Sequence, residues 1–168
     1  ALLAEDPAKA DEVVQTLADL FRYTFKATHA GDVPLDEELL FVDGYLTVEK
    51  ARFGDRLRVE WAIDPAARSA RIPGLLLQPL VENAVGHGIA PVPGGGTVRI
   101  GARLDDGRLV VEVEDDGAGL RLPAASLIHD DHGLGNVRRR IATATRGRGT
   151  LELAPSPNGR GTLARITL

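Results

Sequence analysis

Three separated stretches of this 168-residue chain carry residue types suited to one task. Asn83, within Leu75 to Ile89 (LLLQPLVENAVGHGI), offers a side-chain oxygen to a magnesium ion, a hard cation that takes oxygen ligands. Asp115 opens the run Asp-Asp-Gly-Ala-Gly, where a carboxylate at a strand end is followed by Gly117 and Gly119, which let backbone approach a flat ring closely. His132-Gly133-Leu134-Gly135-Asn136 stands just before Val137-Arg138-Arg139-Arg140, and backbone amides at a helix N-terminus form a ready phosphate site. Each signal has a bland account. A local hydrogen bond explains an isolated Asn, a turn explains Asp-Gly, and a solvated face explains three arginines. Together they describe an ATP pocket with Mg2+.

The Asp-Asp-Gly run occurs twice, which supplies a comparison. Asp105, Asp106 and Gly107 lie between two alternating strands, where a hairpin turn accounts for them fully. Asp115, Asp116 and Gly117 follow an equally good strand (LVVEVE), but no return strand comes next. Asp115 is therefore expected to accept a hydrogen bond from the exocyclic amine of adenine, a charged contact worth about 1.5–3 kcal/mol. A calcium loop is excluded, because the alternating acidic ligands and the closing Glu are missing. A P-loop is excluded as well, since G-x-x-x-x-G-K-[ST] does not occur.

The elements that must position these groups follow from periodicity. Pro7 to about Thr28 reads as a helix with Val13 or Val14, Leu17, Leu20, Phe21, Thr24 and Phe25 on one face and Asp11, Glu12, Gln15, Asp19, Arg22 and Lys26 on the other. It is either a core-packing helix or half of a helical hairpin. A second helix is expected over Asp36 to Ala51, with Leu39, Val42 and Leu46 inward. Leu57 to Ile63 alternates as a strand, and Leu75 to about His87 has helical length, with Pro79 in its first turn or at a kink. Helical spacing would put Pro79, Asn83 and His87 on one face, with Glu82 turned about 100° away. Pro91 to Gly96 reads as a mobile loop, Val98–Leu104 and Leu109–Val113 as a hairpin, Gly117 to His132 as irregular, and Asn136 to Thr145 as a short helix. Strands Thr150–Ala154 and Thr162–Leu168 close the chain. Strands outnumber parallel crossovers, so the expected class is α+β, with helices on one face of a mixed, mainly antiparallel sheet.

Composition narrows the function classes. With 43% apolar and 26% charged residues, the chain suits one globular domain with an appendage. Net charge is −4 and the basic residues are spread out, which argues against nucleic acid as a partner. Cysteine is absent, so disulfides and thiolate metal sites are excluded. Methionine is absent even at position 1, and the chain is expected to be a fragment. No apolar run approaches the roughly 18–20 residues that span a bilayer.

The ordered motifs carry a resemblance. An Asn-bearing helix, D-x-G-x-G, a glycine lid and Gly161-Thr162 resemble the Bergerat-type ATP-binding domain of histidine kinases, gyrase and related ATPases. YLTVEKARFGDRL (45–57), LLLQPLVENAVGHGI and GLGNVRRRI (133–141) look like sensor histidine kinases of the LytS/YesM type. The resemblance implies a two-layer α/β sandwich preceded by an N-terminal helix, ATP with magnesium, and transfer of the γ-phosphoryl group to a histidine in two-component signalling. It also implies Asn83 as magnesium ligand with Glu82 beside it, Asp115, Gly117 and Gly119 at adenine, Gly133, Leu134, Gly135 and Asn136 in the lid, and Gly161 and Thr162 in the last box. His87 is expected to face the same pocket. Residues 1–30 would be the remnant of a dimerisation and phosphoacceptor region and 31–168 the catalytic domain. Implied partners are the phosphoacceptor helix of the same protein or its dimer mate and a response regulator, with a homodimer when intact. The implied setting is a cytoplasmic domain of a membrane-anchored protein.

The chain departs from the family pattern at three points. Gly86 stands where a lysine is common, Asp131 stands at the first glycine of the lid, and the phosphoacceptor His followed by Phe-Leu-Phe-Asn does not occur. None of His29, His87, His129 and His132 has that context, so this chain is expected to bind ATP without labelling itself. The glutamate that gyrase-like relatives place four residues before the Asn is Pro79 here. Water activation is poorly served, which favours a kinase over an ATPase of the gyrase/chaperone type. A degenerate nucleotide-binding or dimerisation module is the other alternative.

Overall fold

The structure, a computed structural model, describes residues 7–120 and 133–168. Helix α1 (Pro7–Ala30) lies along helix α2 (Leu35–Phe53), and its contact side is narrow. Tyr23 stacks on Phe41 with ring centroids 4.7 Å apart, Ala27 is buried, and Gly44 leaves just the space that Leu20 fills, 3.3 Å from where a β-carbon would stand. Val14, Leu17, Phe21 and Phe25, which periodicity places on one apolar face with Leu20, are 62%, 40%, 77% and 75% exposed. One neighbouring helix covers only part of a helix circumference, so much of the apolar stripe stays exposed.

After α2, strand β2 (Leu57–Ile63) enters a five-stranded sheet completed by β4 (Gly96–Asp105), β5 (Arg108–Asp115), β6 (Thr150–Pro155) and β7 (Thr162–Thr167). The order is β2-β4-β5-β7-β6, with β2 and β4 parallel and every other pair antiparallel. Helices α2, α3 (Gln78–Asn83) and α4 (Gly133–Ala144) supply the second layer. Leu39, Val42 and Leu46, Leu80 and Val81, and Leu134, Val137 and Ile141 close over Val98, Ile100, Val111, Val113 and Ile166. Full burial of such side chains stabilises by about 1.5–3 kcal/mol each. The opposite sheet face carries charge: Arg99 meets Glu60 at 2.7 Å, and Glu112 is held between Arg103 at 2.8 Å and Arg165 at 2.6 Å. Among the described residues the helices thus cover one face, as expected for this α+β layout.

Two features lie outside the expected layout. Strands β1 (Asp32–Pro34) and β3 (Arg71–Pro73) pair into a small second sheet, and three residues each are too few for alternation to reveal them. The Pro91–Gly96 segment is not the free loop its composition suggested. Arg56 donates to the carbonyls of Ala90 at 3.3 Å and Val92 at 2.9 Å, and Gly95 returns its N–H to Val92. The turn at Asp106-Gly107, with φ of 47° and 77°, is the tight hairpin anticipated.

Candidate nucleotide site

The element carrying Asn83 is an α-helix for only six residues. Pro79 sits in its first turn, where a missing N–H costs nothing. From Ala84 to Ile89 the chain widens into a π-turn, with Ala90 donating to the carbonyl of Val85 at 2.8 Å. Such insertions recur at functional sites. The 3.6-residue spacing expected to align His87 with Asn83 therefore does not continue past Asn83. His87 is exposed, and Gly88 is the residue turned against Asp115. A β-carbon on Gly88 would stand 2.5 Å from the Asp115 carboxylate.

Asp115 ends β5 almost fully buried, 3% exposed. Burial pushes its carboxyl above the usual aspartate range, while hydrogen bonds from the backbone N–H groups of Gly117, at 2.9 Å, and Thr162 pull it back. Glycines make this close packing possible. A β-carbon on Gly117 would meet the Gly88 carbonyl at 2.2 Å, and one on Gly161 the Asp115 carbonyl at 1.8 Å. Gly119 (φ 73°) faces Gly161, and Ala118 donates to the Gly88 carbonyl at 3.0 Å. Neighbouring Asp116 accepts from the Thr97 N–H at 2.6 Å, which ties the end of β5 to β4. The β6–β7 turn is fixed in the same way: Ser156 and Asn158 donate to Glu114, and Ser156 N–H bonds the Gly161 carbonyl at 3.1 Å. Asp115, Gly117, Gly119, Gly161 and Thr162 thus form one cluster around a carboxylate.

On α3, Asn83 is half-buried and donates its side-chain N–H to the Pro79 carbonyl at 2.5 Å, which leaves its oxygen for another partner. Glu82 is exposed and accepts from Gln78 at 2.6 Å. The third cluster meets the same helix at its start, where a β-carbon on Gly133 would lie 3.6 Å from that of Pro79. Asn136 accepts from Arg139, and Gly135 is buried. Leu134, expected at the nucleotide, has its side chain in the hydrophobic core. Only its backbone can serve a ligand, because the helix turns that side chain onto the sheet. Asp131, His129 and His132 lie outside the described residues. Gly88 and Gly96 were not singled out by sequence reasoning; a glycine's signal is the neighbour it admits, and that neighbour is remote in sequence.

Helix α3 and its π-turn consequently join the two ends of the site: Gly133 beside Pro79, Asn83 one turn on, and Gly88 on Asp115. Residues 70–168, more than half of the chain, match the family described as histidine kinase-, DNA gyrase B- and HSP90-like ATPase. The chain belongs to that family. Residues 1–57 match a second family, histidine kinase. The sensor histidine kinase BtsS of Escherichia coli is 38% identical over 126 residues, 75% of this chain and 22% of that protein. The sensor protein LytS of Staphylococcus haemolyticus is 30% identical over 150 residues, 84% of this chain and 26% of that one. The chain thus spans about a quarter of the length of these relatives. The histidine kinase domain of the Erythrobacter litoralis blue-light activated kinase EL346 shares the fold, with a TM-score of 0.62 and 20% identity, over 99% of this chain and 78% of that one.

This family membership implies ATP binding, and the donor set fits it. A buried carboxylate among glycines suits an amine donor, and one amide oxygen suits a magnesium ion that keeps most of its ligands as water and phosphate oxygens. Among the described residues no group of three or more His, Asp or Glu side chains is assembled to hold a metal alone. No described helix is long and apolar enough to cross a membrane.

Proposed function

We propose that this chain is the ATP-binding catalytic part of a two-component sensor histidine kinase, with residues 31–168 as the catalytic unit and 1–30 as the end of a dimerisation region. The observation that carries this reading is the joining of Asn83 and Asp115 by one helix and its π-turn, between two glycine clusters. Asp115 would accept from the adenine amine, Gly117 and Gly119 would clear the ring plane, and Asn83 would hold Mg2+. Gly133, Gly135 and Asn136 would offer backbone and side-chain donors to the phosphates, and Gly161 and Thr162 would complete the wall behind Asp115. Bound ATP with magnesium supplies the γ-phosphoryl group, which passes to a histidine outside this chain. The protein's contribution is positioning and charge stabilisation. Pro79 at the place of a water-activating glutamate favours transfer to that histidine over hydrolysis. The proposed setting is the cytoplasmic portion of a membrane-anchored homodimer that serves a response regulator.

Titration with a fluorescent ATP analogue, with and without Mg2+, is expected to show magnesium-assisted binding. Supplying the relatives' phosphoacceptor helix should then yield acid-labile phosphate on that helix. Steady phosphate release from the chain alone would instead favour a gyrase-type ATPase, and binding without any transfer would favour a degenerate module. A gain-of-function variant is also expected. Gly86 is exposed with open space around its would-be β-carbon, so Gly86→Lys should add a cation near the phosphates without strain and tighten Mg-ATP binding roughly three- to tenfold, measured in the same titration.

A further inference from the structure

The nucleotide site leaves Glu38 without a task, although it is 0% exposed, the most deeply buried carboxylate among the described residues. It stands in α2, and donors from two other segments converge on it. Oε1 accepts from the Tyr23 hydroxyl on α1 and from the Leu75 N–H at 2.6 Å; Oε2 accepts from the Leu76 and Leu77 N–H groups at 2.9 and 3.1 Å. Burial, with Glu38 beside it, holds the Tyr23 phenol well above its usual pKa, so the hydroxyl remains a donor. The three amides belong to the segment that runs directly into the Asn83 helix. Leu75 there adopts φ 56°, a left-handed conformation that costs a non-glycine residue strain and persists only where its surroundings fix it.

The preceding residue adds a second contact with α1 and brings in α4. Gly74 closes on Ala27 of α1, where a β-carbon would lie 3.0 Å from both the Ala27 β-carbon and carbonyl oxygen, and its own carbonyl accepts from Arg140 of α4. Residues 74–77 therefore touch α1, α2 and α4 at once. A leucine at position 38 would fill the core without the cost of burying a charge. What a carboxylate adds is direction: two oxygens set the rotation of three consecutive peptide groups, and with them the line of the helix that follows.

We propose that Glu38 is a positioning residue for the metal side of the nucleotide site, and that Tyr23 makes its hold on Leu75–Leu77 depend on where α1 lies. The inference rests on the nucleotide reading above. A shift of α1 would then be felt at Asn83, while Asp115, fastened to β4, β7 and the π-turn, would stay in place.

The experiment uses the 168-residue chain and fluorescent ATP-analogue titrations with and without Mg2+, alongside thermal melts. Tyr23→Phe keeps the stack on Phe41 and removes only the hydroxyl. It is expected to reduce the magnesium-dependent gain in affinity at least threefold, with magnesium-free affinity within twofold of the parent. Glu38→Gln should show the same pattern at tenfold or more; should it fail to fold, Tyr23→Phe decides alone. An unaltered magnesium dependence in Tyr23→Phe would overturn the inference while leaving the nucleotide reading intact. So would equal losses with and without Mg2+ that track a lowered melting midpoint, because those mark a merely structural role. Absence of binding by the parent chain would overturn the nucleotide reading, and this inference with it.

Discussion

Asp115→Asn is expected to weaken ATP binding at least tenfold while the melting midpoint at pH 7 moves by no more than about 3 °C, which by the scaling for a chain of this size is about 1 kcal/mol. The separation follows from the surroundings of the carboxylate. Ionised, it accepts from the Gly117 and Thr162 amides and still has capacity for an incoming amine; the amide variant presents a donor where the ligand also donates. Burial raises the Asp115 pKa, so its favourable contribution to folding belongs to the protonated form, is complete below the ordinary aspartate value and is lost as pH rises through the raised folded value. At neutral pH the charge is thus a burden that the variant lacks, and this offsets the imperfect amide contact. The same direction predicts the pH profile: affinity of the parent chain falls on acidification sooner than an ordinary aspartate would dictate. Isothermal titration across pH 7 to 4, paired with melts, reads both effects. Unchanged affinity in the variant would remove Asp115 from the site.

Gly161→Ala is expected to be the most damaging single-methyl change, lowering the melting midpoint by roughly 10 °C, about 3 kcal/mol or more, and removing nucleotide binding. Two costs combine. The backbone at Gly161 has φ 87°, a conformation costing a residue with a β-carbon about 1–3 kcal/mol, and the new methyl would stand 1.8 Å from the Asp115 carbonyl oxygen. Gly159 separates the two, since it shares the conformation (φ 84°) with nothing within 4 Å of its would-be β-carbon. Gly159→Ala should therefore show the backbone cost alone and keep ATP affinity. Equal melting midpoints for the two alanine variants would refute the close approach of the β6–β7 turn to Asp115.

The contrast between those glycines marks what a sequence can and cannot disclose. Alternation announced β2, β4 and β5 because each turns successive side chains to opposite faces, a condition met locally. Asp115 was legible for a similar reason: its strand is followed by Gly117 and no return strand, unlike the otherwise identical run at Asp105. Gly88 and Gly96 gave no such sign, since what marks them is contact with Asp115 and Asp116 across the fold. Nothing local marks Glu38, and the approach of Leu75–Leu77 from 37 to 39 residues away is what distinguishes it. The π-turn escaped because helical spacing was extended past Asn83, where one extra residue per turn moves every later side chain. For α1, periodicity identified an apolar stripe but left open whether it faces the core or a missing helical mate, because direction depends on which helix arrives as neighbour.

The single parallel pairing in the sheet has a kinetic consequence. Strands β2 and β4 are joined by the crossover that contains the Asn83 helix, and cross-strand neighbours such as Glu60 and Arg99 are 39 residues apart in sequence. Closing so long a connection precedes any reward from its contacts, so this edge of the sheet should be among the later regions to assemble during refolding. Until it docks, the antiparallel strands can hold Asp115 without an amide opposite it. Amide exchange in β2 should accordingly slow when nucleotide is added.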